Sequence, residues 1–393
     1  MQESFHYYGT YCAAILAGYS HEESLQVCYS AQLPDWCSRV FLERIGAPTA
    51  AATTQLPAEM AQAGTDALGR KDITRVWASF HFLPGDLHAD PGKGGKRYRN
   101  KFRMICAPNG QLIADTVELA RGKSLQAVGL AMHVLADTWA HRYFAGTPSL
   151  VINNTTSRYF VELKPDGNGG LMEWPVHFRH NSGASDDLDA SEYTNTIYQA
   201  SENSVMNLGH GRAGHLPDLS CVRYKYVPAW ANYEEVVKDN PADYYQAFTQ
   251  MVYALRYLRG DTASFALDTY DTDSIAEWDE TIRTLLEKRQ PESGALEDWH
   301  ALAERMSGCE VAPFDLDAYV GEYEAAPAKA KEGTFLGKFI LAALAQKGMV
   351  VNRVFSSGNP LAGRSVSYDE HGFAGMRDFL PLVGYLRGGE RDE

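Results

Sequence analysis

SLQAVGLAMHVLADTWAHRYF, residues 124–144, decides the reading of this chain. The stretch is apolar, has no proline and no breaker after Gly129, and therefore predicts a buried helix. Within it His133, Asp137 and His141 recur at i, i+4 and i+8, so they project from successive turns along one stripe. Two imidazoles and a carboxylate inside a core helix cost free energy unless something pairs with them. A divalent metal ion satisfies ring nitrogen and carboxylate oxygen together, and that is the expectation. The alternative is a pair of hydrogen-bonded core histidines flanking a buried aspartate.

Working outward, helical patterns dominate. Residues 6–17 have helical periodicity and stop at Gly18. Ser20 with Glu23 three places on forms a capping box for a second helix, which ends near Pro34-Asp35. Further helix is expected over 57–78, 190–208, 240–259, 274–289, 296–306 and 334–348, with 85–95 and 145–190 as Gly- and Asn-rich loop. One exception interrupts the helices. KRYRNKFRMICAPNGQLIADTVEL alternates around Pro108-Asn109-Gly110, which predicts a β-hairpin over about 96–119. The expected fold is thus all-α: a compact helical core with a small β-hairpin insertion and a C-terminal helical extension. A seam near 260–275 divides it into a metal-binding core, 1–260, and an extension, 261–393.

Composition narrows the class. The 393 residues are 45% hydrophobic with a formal net charge of −14, which argues against general nucleic-acid or anionic-membrane binding. Six scattered cysteines form no metal motif and no disulfide framework, a usage suited to a reducing compartment. The N-terminus lacks the pattern of a signal peptide, and no uninterrupted apolar run matches a membrane span. A cytoplasmic protein without stable membrane insertion is the expectation. P-loop, dinucleotide and serine-hydrolase signatures are missing from the sequence.

Other candidate ligands sit in unusual contexts. His6 lies between Phe5 and Tyr7-Tyr8, Asp35 closes the second helix in QLPDW, and His81 falls in the aromatic run WASFHFLPG. His210, His215 and Asp218 share the Gly-broken turn LGHGRAGHLPDL. His21, His88, His300 and His371 have polar neighbours and read as surface, while His177 and His180 are intermediate.

The order His6, Asp35, His81, then HxxxDxxxH at 133–141, then His210 with His215 or Asp218, resembles the zinc-dependent phospholipase C and S1/P1 nuclease superfamily. The HxxxDxxxHxxF ending and the phrases FHYYGTY, AQLPDW and FHFLPG are closest to its heterokaryon-incompatibility-type and uncharacterised bacterial members. The resemblance covers roughly residues 5–220. It implies an all-α hydrolase of phosphoester bonds with a multinuclear zinc site. Asp35, His81, His133 and Asp137 would hold one ion, His141, His210 and Asp218 a second, and His6 with Asp137 a third. Asp35 would also orient or deprotonate the attacking water. In the secreted members a processed N-terminal residue binds one zinc through its amino group. This chain starts MQESF, five residues before His6, which favours two ions over three.

The donor set suits zinc, with iron or manganese left open. The substrate would be a phosphate-ester small molecule, a phospholipid or a nucleic acid. Arg97, Arg99 and Lys101, with Arg103, would form a basic strand face for its phosphate, or else a solvated edge that prevents strand pairing. Two rival classes remain: a degenerate, metal-stabilised interaction module, for example in a toxin or defence system, and a metal oxidase using the same stripe.

Overall fold

The computed structural model describes residues 1–63, 67–85, 87, 95–197, 208–359 and 361. Its centre is the helix Leu125–Ala140, capped by Ser124, whose hydroxyl accepts from the Ala127 amide. Fourteen of its residues are buried, because His21–Gln32, Asn240–Arg259 and Phe335–Ser356 pack around it. Helix His21–Gln32 starts with the capping box expected of Ser20 and Glu23. Gly129 sets how closely the two helices approach: a Cβ there would meet the Val27 carbonyl at 2.2 Å. That approach brings the C-terminal carbonyls of His21–Gln32 within reach of the His133 ring. Residues 4–9 form a π-helical turn that runs into Thr10–Leu16. The main apolar core draws side chains from Met1 through Leu361.

The architecture is not all-α. About 52% of the chain is helical and 11% is strand. Among the described residues six strands lie within 155–239: β1 Thr155–Pro165, β2 Leu171–Pro175, β3 His177–His180, β4 Glu192–Asn195, β5 Arg223–Pro228 and β6 Val236–Asp239. The antiparallel sheet has the order β2-β1-β5-β6 and curls into a half-barrel, while β3 and β4 pair in parallel. The reason the pattern misleads is Glu162. It lies on the inward face of β1 and is fully buried, so the apolar alternation of a strand is broken at its middle. Residues 192–195, expected to be helix, are β4; residues 198–207 lie outside the described residues.

The hairpin expected at 96–119 does not form. Lys96–Phe102 and Gln111–Ala120 are both helices. In the second, Leu112, Ile113, Thr116, Val117 and Ala120 are buried, a helical rather than a two-residue period. Asn109 does adopt a left-handed conformation (φ 60°), but Gly110 then starts a helix. A Cβ at Gly110 would stand 1.8 Å from the Gly85 carbonyl oxygen, so this glycine serves a backbone crossing.

The sheet reaches the central helix through stacked rings. Phe144 stacks on Tyr226 and Tyr226 on Phe160, each pair with centroids 5.5 Å apart. Tyr143 takes a positive φ of 82°, which turns the chain sharply after His141 and delivers Phe144 to this stack. Among the described residues one helix, Phe335–Ser356, is long and apolar enough to cross a membrane, and 44% of its apolar window is buried in the protein. That is no clear membrane span.

Candidate metal centre

Eight of the nine expected ligands converge. Three donor groups lie close together: His6, His133 and Asp137; Asp35, His81 and His133; and His141, His210 and Asp218. Within each group the donor atoms lie within 4.8 Å of one another. Asp137 is the hub. Its Oδ1 lies 3.1 Å from His6 Nε2, and its Oδ2 lies 3.1 Å from His81 Nδ1 and 3.2 Å from His133 Nε2. Asp218 Oδ1 is 3.2 Å from His141 Nε2 and 3.3 Å from His210 Nε2. His215 stands apart. Its Nδ1 is 2.8 Å from Asp186 and its side chain is about half exposed.

The second nitrogen of each ring explains what these distances mean. His133 Nδ1 is 2.8 Å from the Ala31 carbonyl, His141 Nδ1 is 2.7 Å from the His81 carbonyl, and His81 Nε2 is 3.1 Å from the Thr53 carbonyl. A carbonyl oxygen only accepts, so each of these nitrogens must carry the ring's proton. In a neutral ring the other nitrogen is then a lone pair, and here it faces carboxylate oxygen. Lone pair against lone pair at about 3.2 Å is repulsive unless a cation lies between them. A backbone carbonyl fixing the tautomer is the usual support of a metal-binding histidine. His6 differs: its Nδ1 is buried with no partner among the described residues, so no carbonyl fixes its tautomer.

Electrostatics agree with neutral rings at two positions. Burial pushes His6 down to about 4, with the neighbouring His133 adding to the shift. Burial likewise lowers His141 to about 4, against the pull of Asp137. At His133 burial is outweighed by Asp137, and the net shift is upward. Asp137 and Asp218 both stay well below the usual carboxylate range despite burial, because histidines and the Met1 amino group surround them.

The start MQESF argues against an N-terminal amino group in the cluster, yet that group lies within it. The Met1 nitrogen lies 3.3 Å from Asp137 Oδ1, 3.3 Å from His141 Nε2 and 3.3 Å from Asp218 Oδ1. Burial opposes its charge, yet Asp137, Asp218 and Asp35 raise it to about 11. Glu292 was invisible in the pattern. It accepts from the Ser4 amide at 2.9 Å and the Ser4 hydroxyl at 3.1 Å, tying the N-terminal turn to the helix Glu292–Ser307. Tyr244 holds the Asp218 segment by donating to the Asp218 and Pro217 carbonyls.

Asp35 is the most exposed of the three cluster carboxylates and lies beside an opening. Its side chain is 27% exposed, and it lines a depression of about 350 Å³ with Met1, Glu3, Gln32, Trp36 and Leu56. Its Oδ1 is 3.7 Å from His81 Nδ1. The expected phosphate-binding row is not a strand face. Lys101 is buried and donates to the Ala229 carbonyl and Asn232, while Arg99 is half-buried on the same short helix. The Arg97 side chain lies outside the described residues.

Taken together, these His and Asp groups could hold metal ions, and the tautomers they adopt fit that use. No curated protein and no solved structure matches this chain. A family model does match over residues 1–354, and the chain belongs to that family, a family of unknown function (DUF6765).

Proposed function

We propose that this protein is a zinc-dependent hydrolase of phosphoester bonds. The observation that supports it most is the orientation of three tautomer-locked histidines, His81, His133 and His141, toward Asp137 and Asp218. Divalent ions held there would polarise a phosphoryl oxygen and lower the pKa of a bound water. His133 and Asp137 would anchor the deep side and His141, His210 and Asp218 the other; the Met1 nitrogen, 3.3 Å from Asp137 and His141, would join them as a donor only after losing the proton it carries here. Asp35, at the opening, would orient the attacking water and take its proton, since it is the most exposed of the three cluster carboxylates. Six free cysteines, five of them buried, are compatible with a reducing, cytoplasmic setting.

The test begins with elemental analysis of purified protein beside His133→Ala. Two or three zinc ions per chain, lost in the variant, are expected. Hydrolysis of a simple phosphodiester such as bis(p-nitrophenyl) phosphate follows. Asp35→Asn should retain its metal and its thermal midpoint while activity falls about 10²- to 10⁴-fold, the range of a lost general base. No stoichiometric metal after reconstitution with zinc, iron and manganese would overturn the reading.

A further inference from the structure

A second site lies on another face of the central helix and shares no residue with the metal cluster. Helices Gln111–Ala120, Leu125–Ala140 and Phe335–Ser356 enclose a groove of about 340 Å³. That size falls within the ~300–1,000 Å³ of small-molecule sites. Its walls are apolar, built by Leu119, Ala127, Leu130, Leu341 and Ala345. Thr116 and Gln346 line it too, and they satisfy each other: Gln346 Nε2 donates to Thr116 Oγ1 at 3.0 Å and to the Ser79 carbonyl at 3.1 Å.

Two features mark the groove as more than a packing fault. Leu341 is 45% exposed, although it sits in the second turn of an apolar helix. An exposed leucine beside further apolar wall loses the burial that normally stabilises such a side chain. The second feature is charge. Lys123 and Lys338 both line the groove, and neither ammonium has an ion-pair or hydrogen-bond partner among the described residues. In a chain of net charge −14, two unpaired lysines beside an apolar slot complement an anion carrying a hydrocarbon tail. Lys338 also lines a neighbouring depression with Glu22 and Glu322, but forms an ion pair with neither, so Lys123 is the lysine clear of acidic neighbours in the groove.

We infer that this groove binds a single-chain anionic amphiphile, a fatty carboxylate, with its chain along Leu119, Leu130 and Leu341 and its head between Lys123 and Lys338. The walls supply hydrophobic burial and set no polar demand on the tail. The lysines supply charge-assisted hydrogen bonds to the head.

Calorimetric titration of the full chain with dodecanoate, below its micelle concentration, tests the assignment. Saturable one-to-one binding is expected, with dodecyltrimethylammonium weaker by about tenfold or more. Leu341→Glu replaces an exposed residue, so the fold is kept, and it should weaken dodecanoate by at least about tenfold. Lys123→Glu combined with Lys338→Glu should reverse the preference toward the cationic detergent. Absent or non-saturable binding, binding untouched by Leu341→Glu, or a preference for the cation in the unaltered chain would each overturn the inference. So would a concentration-dependent dimer that Leu341→Glu dissociates while dodecanoate fails to bind, since a second copy would then own this face.

Discussion

Glu162 under the sheet and Asp137 inside the helical half are both fully buried carboxylates, and they meet opposite kinds of partner. Glu162 is satisfied by this chain alone. The Ser191 hydroxyl donates to it at 2.7 Å, the Tyr193 hydroxyl at 2.9 Å, and the Arg289 guanidinium supplies the counter-charge. Asp137 is ringed by histidines, and for His81 and His133 the proton is already committed to a backbone carbonyl. Its one fixed cationic neighbour is the Met1 amino group, which Asp218 shares. A buried charge needs an equal and opposite one nearby. The sheet carries its own, whereas the cluster holds Asp35, Asp137 and Asp218 against one ammonium. The difference is what a site built for a guest cation should show.

The comparison breaks if Glu162 does not depend on its arginine. Arg289→Met keeps much of the side-chain volume and leaves the carboxylate with only the more distant Lys164, 3.9 Å away, as a cation. Losing one partner of a buried pair costs about 3–5 kcal/mol. Urea unfolding should report a loss of that order, with or without zinc. A loss under about 1 kcal/mol would mean that Ser191 and Tyr193 suffice, and the contrast with Asp137 would lose its force.

Glu292 sharpens the comparison as a third way of burying a carboxylate. Among the described residues no cation forms an ion pair with it, and burial, only partly offset by Ser4 and the Met1 ammonium, pushes its pKa up from 4.5 to about 7. The folded chain therefore holds this proton at pH values where the unfolded chain has released it. With more protons bound in the native state, stability must fall as pH rises between about 4.5 and 7. The full swing is about 3 kcal/mol. Glu292→Gln removes the titration, so the unfolding midpoint should lose that part of its slope in the same window. An unchanged slope would show that Ser4, which donates twice to Glu292, keeps it ionised.

What could be read from the sequence follows the same division. The His133, Asp137 and His141 stripe was legible because a helix repeats its faces every 3.6 residues, and charges inside an apolar run stand out. His6, Asp35 and His81 gained meaning only beside it. The sheet was illegible for the complementary reason. Glu162 disguises β1, and its partner Arg289 lies 127 residues away, beyond any local pattern. The basic alternation at 97–103 and the Asn109-Gly110 turn mimicked a hairpin. Burial of Leu112, Ile113, Thr116 and Val117 selects helix instead. His215 shares a turn with His210, but the chain folds it toward Asp186.

The smallest predicted effect asks whether the two regions are separate at all. A path connects them. Glu162 binds Tyr193 on β4, Asn195 at the end of β4 donates to the Arg212 carbonyl at 3.1 Å, and Arg212 lies on the short helix that His210 begins. Each link is one hydrogen bond, and Asp218 and Phe144 also hold His210 from other directions. Sites with no shared partner add within about 0.5 kcal/mol. The destabilisation on chelating the metal, about 2.7 kcal/mol if zinc is present at a hundredfold its dissociation constant, should therefore be the same in Arg289→Met as in the unaltered chain. Unfolding each protein with and without chelator gives the four values needed. A coupling well above 0.5 kcal/mol would make β4 a strut of the metal centre, and sheet and cluster would then have to be treated as one unit.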